Sequence, residues 1–160
     1  MTLNPQDFLG QWQVSRVIED ALTYKTATFS GRAEISDQGD CWLYAEAGHL
    51  QMQGAKPMVA ERRYLWRAQE CSVDIFFEDG RFFHRLELQA TTQAAHWCDP
   101  DQYDVAYDFS DWPRWRSTWF VAGPKKKYVL KTQYSLAQYS EKRFCTCTWR
   151  RAKNICCNAI

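Results

Sequence analysis

No window of the chain approaches the roughly 20 consecutive apolar residues that a helix needs to cross a bilayer, so a spanning helix is excluded. Residues 1–8 lack the basic start and the apolar core of about 7–15 residues that mark a secretory signal, and a cytoplasmic location is expected. Net charge is nearly absent: 20 Lys and Arg face 19 Asp and Glu, +1 in all. No global field therefore draws the chain to nucleic acid or anionic lipid, and neither is an expected partner. Helical periodicity is missing, with no apolar stripe in any window of 11–18 residues. Internal repeats and low-complexity linkers do not occur, and 160 residues suffice for one core. The C-x-x-C and H-E-x-x-H spacings that announce zinc sites are absent too.

What the chain has in quantity is aromatic surface, with eight Trp, eight Tyr and nine Phe. Such rings give wide, flat packing faces. Apolar and polar residues alternate with period two, which predicts ten strands: Gln11–Ile18, Ala27–Ile35, Cys41–Ala47, Met58–Arg67, Ser72–Phe77, Arg81–Leu88, Ala94–Cys98, Tyr103–Phe109, Arg114–Val121 and Lys127–Tyr134. Residues 48–53 offer a short extra one, and a brief helix is placed either near residues 3–9 or in the tail. Turn signals separate the runs, among them Asp37-Gln38-Gly39-Asp40, Glu78-Asp79-Gly80 and Asp99-Pro100-Asp101. The strongest is Asp79-Gly80, read as a two-residue hairpin turn whose φ > 0 both residues tolerate. Short connections between neighbours predict an all-β, antiparallel up-and-down barrel of about ten strands, closed on itself so that no edge is left bare.

Seven cysteines are many, and four of them, Cys145, Cys147, Cys156 and Cys157, fall in the last sixteen residues. Their spacing matches no usual zinc pattern, so free thiols are expected. The chain thus divides into a barrel over residues 1–135 and a Cys-rich appendage over 136–160.

Strand parity sorts the side chains. Trp12, Val14, Arg16 and Ile18 share one face, as do Trp42, Tyr44 and Glu46. Phe82, His84, Leu86 and Leu88 form the next set, then His96 with Cys98, then Tyr103, Val105, Tyr107 and Phe109. Trp115, Ser117, Trp119 and Val121 follow, and finally Tyr128, Leu130, Thr132 and Tyr134. These inward sets mix rings with polar groups, each costing about 1–3 kcal/mol if buried without a partner. Two readings stay open: a cavity whose ligand satisfies them, or an internal network in which Arg16 pairs with Glu46.

Gly10-Gln11-Trp12 at the head of the first strand is similar to the G-x-W signature of lipocalin-like (calycin) barrels, in which the Trp plugs one end. A wider set of segments joins it: FLGQW with Arg16 and Ile18, ERRYLW (61–66), FEDGRFFH (77–84), HWCDPDQY (96–103) and W-x-V-x-GPKKKY (119–128). Over residues 8–134 the chain resembles an uncharacterised family, domain of unknown function 6314. That resemblance implies a lipocalin-like barrel and no established activity. The family reads G-P-R-K-D-Y where this chain has Gly123 to Tyr128 with Lys125 in the Arg position, and Lys does not reproduce the planar fork of Arg.

The first functional expectation is a barrel that binds a small apolar or aromatic molecule, held by Arg16, Tyr44, Glu46, His84, His96, Cys98, Tyr103, Tyr107, Trp119 and Tyr134. The second is an enzyme, an isomerase or hydrolase, using His84 and His96 as an acid–base pair. No cofactor is firmly expected; haem ligated by one His, or a single metal ion held by His84, His96 and Cys98, is compatible with the residues. Asp99-Pro100-Asp101 reads as a turn, and Lys125 to Lys127 as a solvated charge run.

Overall fold

The computed structural model describes residues 3–137. The appendage cysteines, Cys145, Cys147, Cys156 and Cys157, lie outside the described residues. A single 3-10 turn, Pro5–Phe8, precedes ten strands: β1 Gly10–Asp20, β2 Lys25–Asp37, β3 Trp42–Met52, β4 Met58–Ala68, β5 Ser72–Phe77, β6 Phe82–Glu87, β7 Thr91–Cys98, β8 Asp101–Asp108, β9 Trp115–Gly123 and β10 Lys126–Leu136. All belong to one antiparallel sheet in the order β6-β5-β4-β3-β2-β1-β10-β9-β8-β7. Each strand pairs with its neighbours in sequence, β1 pairs with β10, and only β6 and β7 share no ladder. The result is a nearly closed up-and-down barrel with one seam, between β6 and β7.

The strands exist because alternation along them buries one face, as the strictly alternating burial of Trp12, Val14, Arg16 and Ile18 on β1 shows. Two local expectations need correction. Residues 48–53 add no separate strand; β3 runs on through Gly48 to Met52, paired with β2 throughout. The β5–β6 turn is not a two-residue one either. Phe77 O accepts from Gly80 N at 2.9 Å and Phe77 N donates to Arg81 O at 2.9 Å, leaving a three-residue loop with Gly80 at φ 88°. Glycine is suited to that left-handed position, which lets such a loop match the twist of its strands.

Parity fails at one place. The ladder between β5 and β6 shifts between Ile75 and Phe76, so that His84 opposes Ile75 while Phe82 opposes Phe76. The extra residue is Phe83, and a bulge of this kind turns consecutive side chains to the same side. Phe83 and His84 are both buried, and Phe82, expected inside, is 52% exposed.

One end of the barrel is plugged. Trp12 is fully buried and its indole N–H donates to Phe8 O at 2.8 Å, tying the 3-10 turn across the opening. Around Phe8 stand Trp66, Phe109, Trp112 and Trp115, with ring centroids 4.9–5.9 Å away.

Candidate ligand-binding interior

At mid-barrel, β1, β3, β4 and β10 bring a set of polar side chains together. Arg16 donates from Nη1 and Nη2 to the two oxygens of Glu46, each at 2.8 Å, and from Nε to Thr132 Oγ1 at 2.7 Å. The Tyr44 hydroxyl donates to Glu46 Oε2 at 2.6 Å, and Arg62 Nε lies 3.3 Å from Oε1. Burial alone would raise the Glu46 pKa, yet the cations of Arg62 and Arg16 and the Tyr44 hydroxyl hold it below the usual carboxylate value. Burial and the nearby carboxylate push the Tyr44 phenol well above its ordinary value. Of the two readings left open by the sequence, the Arg16–Glu46 pair is the one realised. The pair nevertheless leaves two guanidinium groups against one carboxylate.

A second cluster straddles the seam. His84 Nε2 and the Tyr107 hydroxyl are 2.8 Å apart, while Trp119 stacks on Phe83 with 5.2 Å between centroids and meets the His84 ring edge-on, also at 5.2 Å. From β7, His96 packs edge-on against Phe83 at 5.0 Å and Phe77 at 5.5 Å, and bonds to the backbone of Phe83. Burial, with help from His96, pushes the His84 pKa down to about 3. It is therefore neutral near pH 7. Burial also lowers His96, against the opposing effect of its bond to Phe83.

Tyr64 on β4 connects the two clusters, standing 5.9 Å from Tyr44 and stacked on Phe83 at 5.6 Å. Tyr64 and Arg62 keep solvent contact although protein atoms surround them deeply, as residues lining an inlet do. Among the polar atoms sealed from solvent without a hydrogen bond are His84 Nδ1, Trp66 Nε1 and Trp115 Nε1.

The structure thus groups Arg16, Tyr44 and Glu46 in one cluster and His84, His96, Tyr107 and Trp119 in another. Tyr134 is buried and stacks on Trp115 at 3.6 Å, near the plugged end. Tyr103 stands directly across the β7–β8 ladder from His96, and toward the rim Lys126 Nζ reaches its hydroxyl at 3.2 Å and Asp101 at 2.8 Å. Cys98 ends β7 opposite Asp101, half-buried. Among the described residues no three His, Cys, Asp or Glu side chains are placed to hold a metal ion, so the trio of His84, His96 and Cys98 does not assemble as one. Arg62, Tyr64, Trp66 and Phe83 were not anticipated as site residues. For β4 the signal was present, since residues 62, 64 and 66 share one parity.

A nearly closed, ten-stranded antiparallel barrel with a Trp-plugged end places this chain in the lipocalin-like, calycin class. More particularly, it belongs to a family of unknown function, DUF6314, whose model matches residues 8–136. Among solved structures, the S-type phycobiliprotein lyase CPES from Guillardia theta is similar, with a TM-score of 0.59 at 7% identity over 84% of this chain and 91% of that one. At that identity the likeness establishes the fold. No curated protein matches the chain. No helix among the described residues is long and apolar enough to cross a membrane.

Proposed function

We propose that the barrel binds a small, flat, largely aromatic molecule whose body rests against Tyr64, Phe83 and Trp119. The observation that carries this reading is His84 Nδ1, sealed in an apolar ring cluster with no partner. A buried polar atom left unmatched costs about 1–3 kcal/mol, and a ligand atom that hydrogen-bonds it would recover that loss. The rings around it supply the flat, apolar walls typical of small-molecule sites. The shared fold with a phycobiliprotein lyase supports trying tetrapyrroles first.

An enzymatic use of His84 and His96 as an acid–base pair is the weaker proposal. With a pKa of about 3, His84 carries no proton to give as an imidazolium near neutrality.

The test is titration of the purified protein with haemin, biliverdin and simple flat aromatics, followed by quenching of Trp fluorescence and by native mass spectrometry. The reading expects a one-to-one complex that Trp119→Ala weakens at least several-fold with the fold intact by circular dichroism. Absence of any complex across that panel would remove it.

A further inference from the structure

Arg62 is the interior cation with an incomplete set of partners. Among the described residues its one ion-pair contact is Nε to Glu46 at 3.3 Å, and neither Nη donates a hydrogen bond. Glu46 has little left to offer, because Arg16 already engages both its oxygens and Tyr44 donates to one of them. The side chain of Arg62 remains 21% exposed, so the free edge of its fork is reachable.

What it faces is a cleft of about 280 Å3, open solvent included, with room between its walls for roughly one water. Arg16, Glu46 and Arg62 form its polar floor, and Ile18, Phe29, Leu50 and Ala60 its apolar walls; Glu61 stands exposed at the lip. Around the floor the charges do not balance. Of the residues lining the cleft, Arg16 and Arg62 are cations, Glu46 is the one buried anion, the Glu61 carboxylate is exposed to solvent at the lip, and the nearby phenols of Tyr44 and Tyr64 are held neutral by burial. A surplus positive charge in a partly desolvated site favours an anion there.

Building on the proposed binding role, we infer that the ligand is a carboxylate with an apolar body, its two oxygens taken by the Nη groups of Arg62. The planar fork suits that headgroup, because guanidinium and carboxylate match through two parallel hydrogen bonds. The carboxylate takes the place of the water that fits there, and the apolar body runs past Tyr64 toward Phe83 and Trp119. Arg16–Glu46 then serves as the fixed backing that holds Arg62 in place.

Two probes of one shape separate the charge from the body: 1-pyrenebutyric acid and 1-pyrenebutanol, titrated against the full chain by fluorescence. The acid is expected to bind on the order of 10- to 100-fold more tightly than the alcohol, the range of one charge-assisted contact. Arg62→Gln should bring the acid down to the alcohol's affinity and leave the alcohol unchanged. Arg62→Lys, which keeps the charge without the fork, should fall between, and it decides the matter if the Gln variant misfolds and loses the alcohol as well. Equal binding of acid and alcohol by the wild-type chain, or an acid preference that survives Arg62→Gln, overturns the carboxylate assignment while leaving a binding barrel. Binding of neither probe overturns both.

Discussion

Nη1 and Nη2 of Arg16 each lie 2.8 Å from a different oxygen of Glu46, in a pair with side chains only 3% and 2% exposed. Two charges this deep are costly to desolvate, and the attraction offsets that cost only while every remaining polar atom is matched. Thr132 and Tyr44 do that matching here. Glu46→Gln strands two buried cations and should destabilise the fold by about 3–5 kcal/mol in urea denaturation, whereas Arg16→Met leaves Glu46 its contact with Arg62. Glu46→Gln should be the worse, because it also deprives Arg62. The double variant Arg16→Met with Glu46→Gln should lose less than the two single losses together, and additive losses would contradict a coupled pair.

His84 makes stability depend on pH with a definite sign. Its folded pKa is about 3 against an ordinary value of 6.5, so between these limits the unfolded chain takes up a proton that the folded one refuses. Stability is then full above about pH 6.5 and is lost as pH falls. The loss runs at roughly 1.4 kcal/mol per unit, or about 3 kcal/mol by pH 4.5. Comparing wild type with His84→Gln over pH 6.5–4.5 isolates this effect: His96 subtracts out, and the lowered carboxylates of Glu46 and Asp74 have yet to protonate. The variant should show the flatter curve; parallel curves would mean that His84 is solvated.

Much of this architecture could be read in the chain, for physical reasons that also explain what could not. All ten strands announce themselves because period-two burial and polar turns reinforce each other, as on β1 from Trp12 to Ile18 and on β10 from Tyr128 to Tyr134. Gly48 hid the continuation of β3, since glycine inside a run reads as a break. The run Phe82-Phe83 fits either parity, so a bulge beside it leaves no trace in hydropathy. The site was half visible: Arg16 and Glu46 interrupt apolar alternation and draw attention, whereas Arg62 follows Glu61 and precedes Arg63 in a charged stretch that looks like surface.

The bulge itself can be tested by two neighbouring truncations. Phe83 is 6% exposed and touches Tyr64, Phe77 and Trp119, while Phe82 is 52% exposed and meets Phe76 edge-on. Phe83→Ala should cost about 3–5 kcal/mol, as core phenylalanine deletions do. Phe82→Ala should stay within roughly 1 kcal/mol of wild type. Strict alternation through β6 predicts the reverse order, so one pair of thermal melts distinguishes the two.

Gly31 and Gly48 face each other across β2 and β3, and the ring of Phe29 lies over both. A methyl group added at Gly31 would run into Ala47 O, lie 2.7 Å from Gly48 Cα and 2.8 Å from Phe29 Cζ. At Gly48 it would meet Ser30 O, Gly31 Cα at 2.6 Å and Phe29 Cζ at 2.7 Å. Most of these obstacles are backbone and cannot swing aside. Gly31→Ala and Gly48→Ala should therefore each destabilise by about 1–3 kcal/mol, although alanine elsewhere in a strand is the better residue. Trimming Phe29 to Leu should relieve little of that, because the main-chain atoms of the facing strand still stand in the way. The two strands are held this close by the absence of a side chain on either, and that closeness lets the Phe29 ring, beneath the Arg16 guanidinium at 5.0 Å, pack at the wall of the Arg62 cleft. Gly31→Ala should accordingly weaken binding of 1-pyrenebutyric acid as well as lower the melting temperature, and a variant that melts with wild type would show that the strands can part there at no cost.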